Sequence, residues 1–296
     1  MEQESVCSSH HQTHWIQIQD ELKKRVMTED DFSWELQPSS SCSIDGETKE
    51  VLKYIGGVDI SYLKEDPSFA CAILVVLEFG SFNLVYHDFV VSKLLVPYVP
   101  GFLAFREVPV LLKLIEKMKS DAHPFYPQLL MVDGNGLLHP RGFGLACHLG
   151  VLADLPTIGV GKNLHHVEGL NHTEVRKNLE ASNEESTFLT GNSGRTLGVL
   201  HHVEGLNHTE VRKNLEASNE ESTFLTGNSG RTLGVAVRSS GASKPIFVSV
   251  GHRISLTTAL EIVKMTCKYR VPEPIRQADI RSREYLRQHA FVPSSP

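Results

Sequence analysis

No apolar stretch in this sequence is long enough to cross a bilayer, and the first residues, MEQESVCSSHHQTHWIQIQDELKKR, lack the apolar core of a secretory leader. A membrane partner is not expected. Cysteine is sparse: Cys7, Cys42, Cys71, Cys147 and Cys267 are odd in number, scattered and never spaced as C-x-x-C. That pattern argues against a disulfide framework and a structural zinc site, and fits a reducing compartment. The Asn-His-Thr triplets at Asn171 and Asn207 are then expected to carry no glycan. Positive charge is not in excess either. A net charge of -6 demands no nucleic-acid partner, although a local basic groove on an acidic protein still binds phosphates. A Walker phosphate loop is also missing, because Pro156 stands where that motif's first glycine would precede Lys162.

What is present suits a protein with one sizeable core: 296 residues, 41% hydrophobic and 22% charged. Residues 164–199, LHHVEGLNHTEVRKNLEASNEESTFLTGNSGRTLGV, recur letter for letter as residues 200–235. A solenoid needs about three or more similar units with atypical caps. Two identical ones read as a tandem duplication inside an ordinary domain, and one copy's worth of chain is expected to stay out of the packed fold. The sequence does not say which copy, since deleting either leaves the same chain.

The remaining pattern divides the chain into residues 1–50, an N-terminal helix (about 14–28) with a polar linker; residues 51–290, a domain holding the duplication; and a tail, 291–296. Within the domain, KYIGGVDIS, FACAILVVLEF and NLVYHDFVV are strand candidates joined by short turns, an antiparallel meander. A helix follows at about 104–119, then a buried strand QLLMVD, a helix within 141–153 and a short strand PTIGVG. TLGVAVR and KPIFVSVG form a strand pair, and a last helix at about 256–268 starts with a capping box at Thr258-x-x-Glu261. The sum is an α/β fold, a mixed sheet with helices on its faces.

Three carboxylates break this pattern where chemistry is expected. Glu107 has Leu103, Ala104, Val110, Leu111, Leu114 and Met118 as its helical neighbours, so it points along the core-facing stripe. Pro109 places it in the first turn. A buried carboxylate must be paired, protonated or bound to metal; pairing with Arg106 is the plain alternative. Asp133 ends the apolar run LLMV, at the sheet edge where open α/β folds place ligands, and a simple Asp-Gly turn is its plain alternative. Asp59 lies inside a strand, where aspartate is disfavoured, next to Gly56 and Gly57, which permit close backbone approach. If the fourth strand lies parallel beside the first, the three meet. Clustered carboxylate oxygens suit Mg²⁺ or Mn²⁺ rather than zinc. His10, His11 and His14, in a polar segment, are given no metal role, and His252, after the strand IFVSVG, reads by itself as a turn histidine.

The segments GGVDIS, VPYVPGFLAFRE, VDGNGLLHPRGFGLACHLGV, PTIGVGK, VSVGHRISL and PEPIRQADI, spread over about residues 54–280, resemble the endonuclease V family, its animal members above all, within the ribonuclease H-like superfamily. The resemblance implies a Mg²⁺-dependent endoribonuclease, with Mn²⁺ able to substitute. It would act on inosine in single-stranded RNA and cut the second phosphodiester 3′ to inosine, leaving 3′-hydroxyl and 5′-phosphate ends. It makes Asp59, Glu107 and Asp133 the metal-binding positions and His252 the active-site histidine, and it places Lys162 at the phosphate. Tyr98, held between Pro97 and Pro100, becomes a wedge that fills the gap left by an extruded base. Leu103, Gly134, Gly136 and Gly144 would shape the base pocket, the glycines letting backbone amides approach the base. His139 and Arg141 would contact phosphates; the basic run Arg276, Arg281, Arg283 and Arg287 would contact the backbone or lie on a solvated helix face. A monomer of cytoplasm, nucleus or nucleolus is the corresponding expectation. Two other readings stand beside this one: deoxyinosine-directed DNA repair, and a non-catalytic inosine-RNA binder if the duplication disrupts the site.

Overall fold

The computed structural model describes residues 2–36, 50–163, 188–190, 196–199, 222–226, 232–237, 239 and 244–289. Most of the linker, most of the duplicated block and the tail lie outside them. The chain opens with α1 (Glu2–Lys23) and the short parallel pair β1 (Trp34–Glu35) and β2 (Glu50–Val51). The meander follows as β3 (Tyr54–Tyr62), β4 (Phe69–Glu78) and β5 (Leu84–Lys93), then α2 (Leu103–Ser120), β6 (Leu129–Asp133), α3 (Leu145–Ala153) and β7 (Thr157–Gly161). Two hairpins come next, β8 (Phe188–Thr190) with β9 (Thr196–Val199), and β10 (Ser222–Thr226) with β11 (Thr232–Val237). The chain closes with β12 (Ile246–His252), α4 (Leu256–Thr266) and α5 (Glu273–Gln288).

Eight strands form one mixed sheet in the order β10-β11-β12-β7-β6-β3-β4-β5. The meander is antiparallel, and β6 lies parallel beside β3 and β7, as the sequence pattern anticipates. Side-chain alternation along each strand sorts residues between two faces. On β6, Leu130 and Val132 pack with Val108, Leu111, Leu114 and Ile115 of α2, while Leu129 and Met131 pack with Ala259, Ile262 and Val263 of α4 and Ile275 of α5. On β3, Ile55 shares the α4–α5 face, and Val58, Ile60 and Tyr62 share the α2 face. Gly57 explains how α5 comes so near: a Cβ there would lie 2.2 Å from the Pro274 carbonyl oxygen.

Several helical expectations change. The N-terminal helix spans Glu2–Lys23 rather than about 14–28, and α2 starts at Leu103, so Glu107 and Pro109 lie in its second turn rather than its first. The last helix is not α4. The chain goes on into α5, a charged helix whose Ile275, Ala278, Ser282 and Leu286 form a buried stripe. And α4 is capped by Ser255, whose Oγ accepts the Thr258 amide at 3.2 Å, so the cap lies one turn before the box at Thr258.

Both copies of the duplicated block form the same hairpin in the same register, Phe188 opposite Val199 and Phe224 opposite Val235, but only the second joins the large sheet. The register with β12 supplies the reason. Val235, Ala236 and Val237 face Val248, Phe247 and Ile246, and all three are fully buried. The corresponding residues after the first copy are Val199, Leu200 and His201. Leucine overfills the alanine position, and histidine brings an unpaired polar ring to the valine position. The residues just past the repeat therefore distinguish the copies, although the copies themselves do not.

Candidate active site

Asp59, on β3, and Asp133, the last residue of β6, stand at the same edge of two parallel neighbours. Both follow the odd-numbered alternation that faces α5. Asp279, on α5, meets them there, and the three carboxylates each offer an oxygen within 4.8 Å of the others. The sequence pattern alone does not single out Asp279, because it lies on a helix rich in charge. The signal was available, since Asp279 lies in PEPIRQADI, four residues after the buried Ile275.

Lys162, just past β7, binds this cluster. Its Nζ is 2.5 Å from Asp133 Oδ2 and 3.6 Å from Asp279 Oδ1, and Arg283 Nη2 reaches Asp279 Oδ1 at 2.7 Å. Burial pulls the Lys162 ammonium down, but Asp133, Asp59 and Asp279 outweigh it and hold the group above its ordinary range. Burial first, and the charge of Asp133 second, push Asp59 up to about 8 despite Lys162. With all three carboxylates ionised, Lys162 and Arg283 leave one negative charge uncompensated, and a set made only of carboxylate oxygens suits Mg²⁺ or Mn²⁺. An open cavity of about 950 Å³ runs from Asp59, Asp133, Lys162 and Asp279 past Lys64, Arg283 and Arg287.

Glu107 does not join the three-carboxylate cluster. It sits on α2, 6% exposed, and its Oε1 accepts a very short hydrogen bond from the Tyr62 hydroxyl. Burial pushes its carboxyl up to about 7; Tyr62 opposes this and Asp133 adds to it, so Glu107 and Asp133 sense each other. Arg106 is not its ion-pair partner. The guanidinium donates to the carbonyls of Val96 and Pro67, each at 2.6 Å, and lies 5.3 Å from the centre of the Tyr62 ring.

The predicted wedge, Tyr98, is 63% exposed on the loop between β5 and α2, with Pro97 and Pro100 also exposed. Leu103 is half-buried at the start of α2. The three glycines of the predicted base pocket serve internal packing here. The amide of Gly134 donates to Val160, that of Gly136 to Ser249 Oγ, and that of Gly144 to the Gly136 carbonyl. A Cβ at Gly136 would lie 2.0 Å from the Val250 carbonyl oxygen, and one at Gly144 would lie 2.3 Å from that of Asn135. These amides are not free to read a base in this structure.

Arg141 forms part of a seam with α1, and His139 braces its backbone. Arg141 Nε donates to Gln19 Oε1 in a very short hydrogen bond, Nη2 reaches Asp20 at 2.8 Å, and the Arg141 amide donates to His139 Nδ1. Trp15 stacks on Phe105 at 5.3 Å, and Gln19 also donates to the Phe143 carbonyl at 2.9 Å. His252 lies at the far end of the sheet. Because β12 runs antiparallel to β7, its end pairs with Thr157, the start of β7, while its beginning pairs with Gly161 beside Lys162. His252 is 4% exposed and its Nδ1 accepts the Met27 amide. Burial lowers its pKa. The structure does not bring it to the carboxylates.

A family model described as Endonuclease V matches residues 37–280. Mouse (Mus musculus) Endonuclease V is 42% identical over 280 residues, covering 93% of this chain and 69% of that protein. The crystal structure of human ENDOV superposes with a TM-score of 0.72 at 38% identity, covering 94% of this chain and 99% of that one. Ciona intestinalis Endonuclease V, in complex with a 24mer DNA containing an inosine followed by a ribo-adenosine, superposes with a TM-score of 0.70 at 30% identity, covering 94% and 99% of the two chains.

Proposed function

From the premise that this chain belongs to the endonuclease V family and is a nuclease, we propose that it is a Mg²⁺-dependent endoribonuclease for inosine in single-stranded RNA. Cleavage falls at the second phosphodiester 3′ to inosine, leaving 3′-hydroxyl and 5′-phosphate ends, and the protein acts as a monomer. The observation that carries this reading is the meeting of Asp59, Asp133 and Asp279 on the wall of an open cavity, with Lys162 among them. The Ciona intestinalis complex, where a ribo-adenosine follows the inosine, supports a ribonucleotide beyond the base.

Asp59, Asp133 and Asp279 would hold the divalent ion, with Glu107 outside the cluster and within electrostatic reach of Asp133. Such an ion supplies Lewis acidity for phosphodiester hydrolysis. Lys162 places a cation where a scissile phosphate would approach the carboxylates, and a preorganised charge there stabilises the oxygens as negative charge develops. Arg283, Arg287 and Lys64 line the same cavity and neutralise adjoining phosphates. Tyr98, on a loop stiffened by two prolines, fills the space an extruded base leaves. Proline limits the freedom that the loop loses on binding.

The test uses strands matched in sequence: inosine RNA, adenosine RNA and deoxyinosine DNA, each with Mg²⁺, at one salt concentration. Inosine RNA should be cut at one bond, adenosine RNA left whole and deoxyinosine DNA cut far more slowly. Equal rates on inosine RNA and deoxyinosine DNA would sink the RNA preference and favour a DNA repair enzyme. Tight binding of inosine RNA with no cleavage would favour the non-catalytic binder, a reading kept because the duplicated block begins right after Lys162 and Asn163.

A further inference from the structure

Tyr62 closes β3 on the face opposite Asp59, so it looks toward α2 rather than α5. Its hydroxyl gives Glu107 Oε1 a very short hydrogen bond. That bond engages one carboxylate oxygen and leaves Oε2 for a ligand. The ring is itself fixed, since Arg106 lies over it and is tied by two strong bonds to the carbonyls of Val96 and Pro67. Tyr62 also lines the cavity that holds Asp59, Asp133 and Asp279. The chain Arg106–Tyr62–Glu107 is thus a rigid bracket that ends at an acidic residue on the α2 side of the site.

We propose that Tyr62 is a positioning residue whose hydroxyl fixes the Glu107 carboxylate, outside the three-carboxylate cluster, so that Oε2 acts from beyond that cluster on the divalent ion held by Asp59, Asp133 and Asp279. A carboxylate tied at one oxygen presents the other in a single orientation. Untied, it turns about its last torsion, and an ion pays for reordering it. Partners of this kind typically alter metal affinity 10–100-fold when removed. The inference rests on the metal reading given above.

Tyr62→Phe tests it, since the ring and its packing under Arg106 are kept and only the hydroxyl is lost. Mn²⁺ affinity is read by electron paramagnetic resonance on the full chain without nucleic acid. The variant should bind Mn²⁺ about tenfold more weakly or worse, and the Mg²⁺ concentration that half-saturates cleavage should rise in step. KM for inosine RNA at saturating Mg²⁺ should stay unchanged. Glu107→Gln should weaken Mn²⁺ binding as well, and the double variant should be no weaker than Glu107→Gln alone, because the hydroxyl acts through that carboxylate. Circular dichroism and thermal melting verify that each variant is folded. Unchanged Mn²⁺ affinity in folded Tyr62→Phe overturns this inference alone, and so does a loss that adds to that of Glu107→Gln. Absence of Mn²⁺ binding by the unaltered chain overturns the metal reading and this inference together.

Discussion

Two carboxyls in this site hold their protons unusually well: Asp59, at about 8, and Glu107, at about 7. In the unfolded chain both ionise near their ordinary values of 3.8 and 4.5. The folded state therefore binds more protons than the unfolded state from about pH 4 to 8, and over that window stability falls as pH rises. Buried His148 acts in the opposite sense. Burial lowers it to about 4, so the unfolded chain takes up a proton that the folded one refuses, and stability is lost as pH drops below 6.5. Above pH 6.5 the carboxyls dominate. The metal-free protein should lose stability from pH 6.5 to 8, at most by roughly 1.4 kcal/mol per pH unit for each group, read as a falling melting temperature. Asp59→Asn should flatten most of that slope, and saturating Mg²⁺ should reverse it by favouring the ionised forms; a flat profile in the unaltered chain would refute the argument. Asp279→Asn should lower cleavage by about 100-fold and weaken Mn²⁺ binding with it, while full activity would remove Asp279 from the site. Asp59, Glu107 and Asp133 were legible because each is a charge in an apolar pattern. Asp279 and Tyr62 break no pattern, one a charged residue on a charged helix and the other a tyrosine in a strand, and the signal for Asp279 was its place in the segment PEPIRQADI. His252 was misplaced by resemblance; only the direction of β12 reveals at which end of the sheet it lies.

Among the elements, the strands were easier to read than the helices that complete the site. β-branched runs separated by short turns announce β3, β4 and β5, and the continuous apolar run of β6 announces a strand covered on both faces. α5 was hidden because proline opens it and charges cover all but its narrow buried stripe. The choice between the two hairpins was hidden too, because it depends on residues that only the pairing register identifies. Ala236→Leu with Val237→His would give the second copy the ending of the first. This change should destabilise the domain by about 3 kcal/mol or more through overpacking and a buried polar ring. Leu200→Ala with His201→Val would give the first copy the ending of the second. Hydrogen exchange on peptides that run past each copy, TLGVLHH and TLGVAVR in the unaltered chain, would then show protection divided between the hairpins. Protection confined to the second copy in that variant would mean that the short connection from β11 to β12 makes the choice, rather than the buried residues.

For the molecule as a whole, the decisive fact is where the sheet releases the duplicated block. β6 and β7 end at the edge that carries the carboxylates, and the chain leaves that edge at Lys162 and Asn163 before re-entering the sheet at β10. The described chain thus leaves the sheet beside the proposed substrate cavity, on a protein whose net charge of -6 already repels nucleic acid outside its basic lining. The opposite edge is tied down, with Arg253 paired to Asp31 and Asp154. Deleting residues 164–199 restores a single copy and keeps every strand of the eight-stranded sheet. Shortening the connection should change stability by under about 1 kcal/mol, since loop-closure entropy grows only slowly with length. Mn²⁺ affinity should not change, because no carboxylate of the cluster lies in the deleted segment. The effect expected is on access: kcat/KM should rise on a long, folded inosine RNA and hold steady on a short inosine oligonucleotide that reaches only the carboxylates and the groove beside them. If deletion improves both substrates equally, the block acts on the catalytic groups themselves rather than on the approach to them. If it improves neither, the tethered chain lies clear of the path that RNA takes.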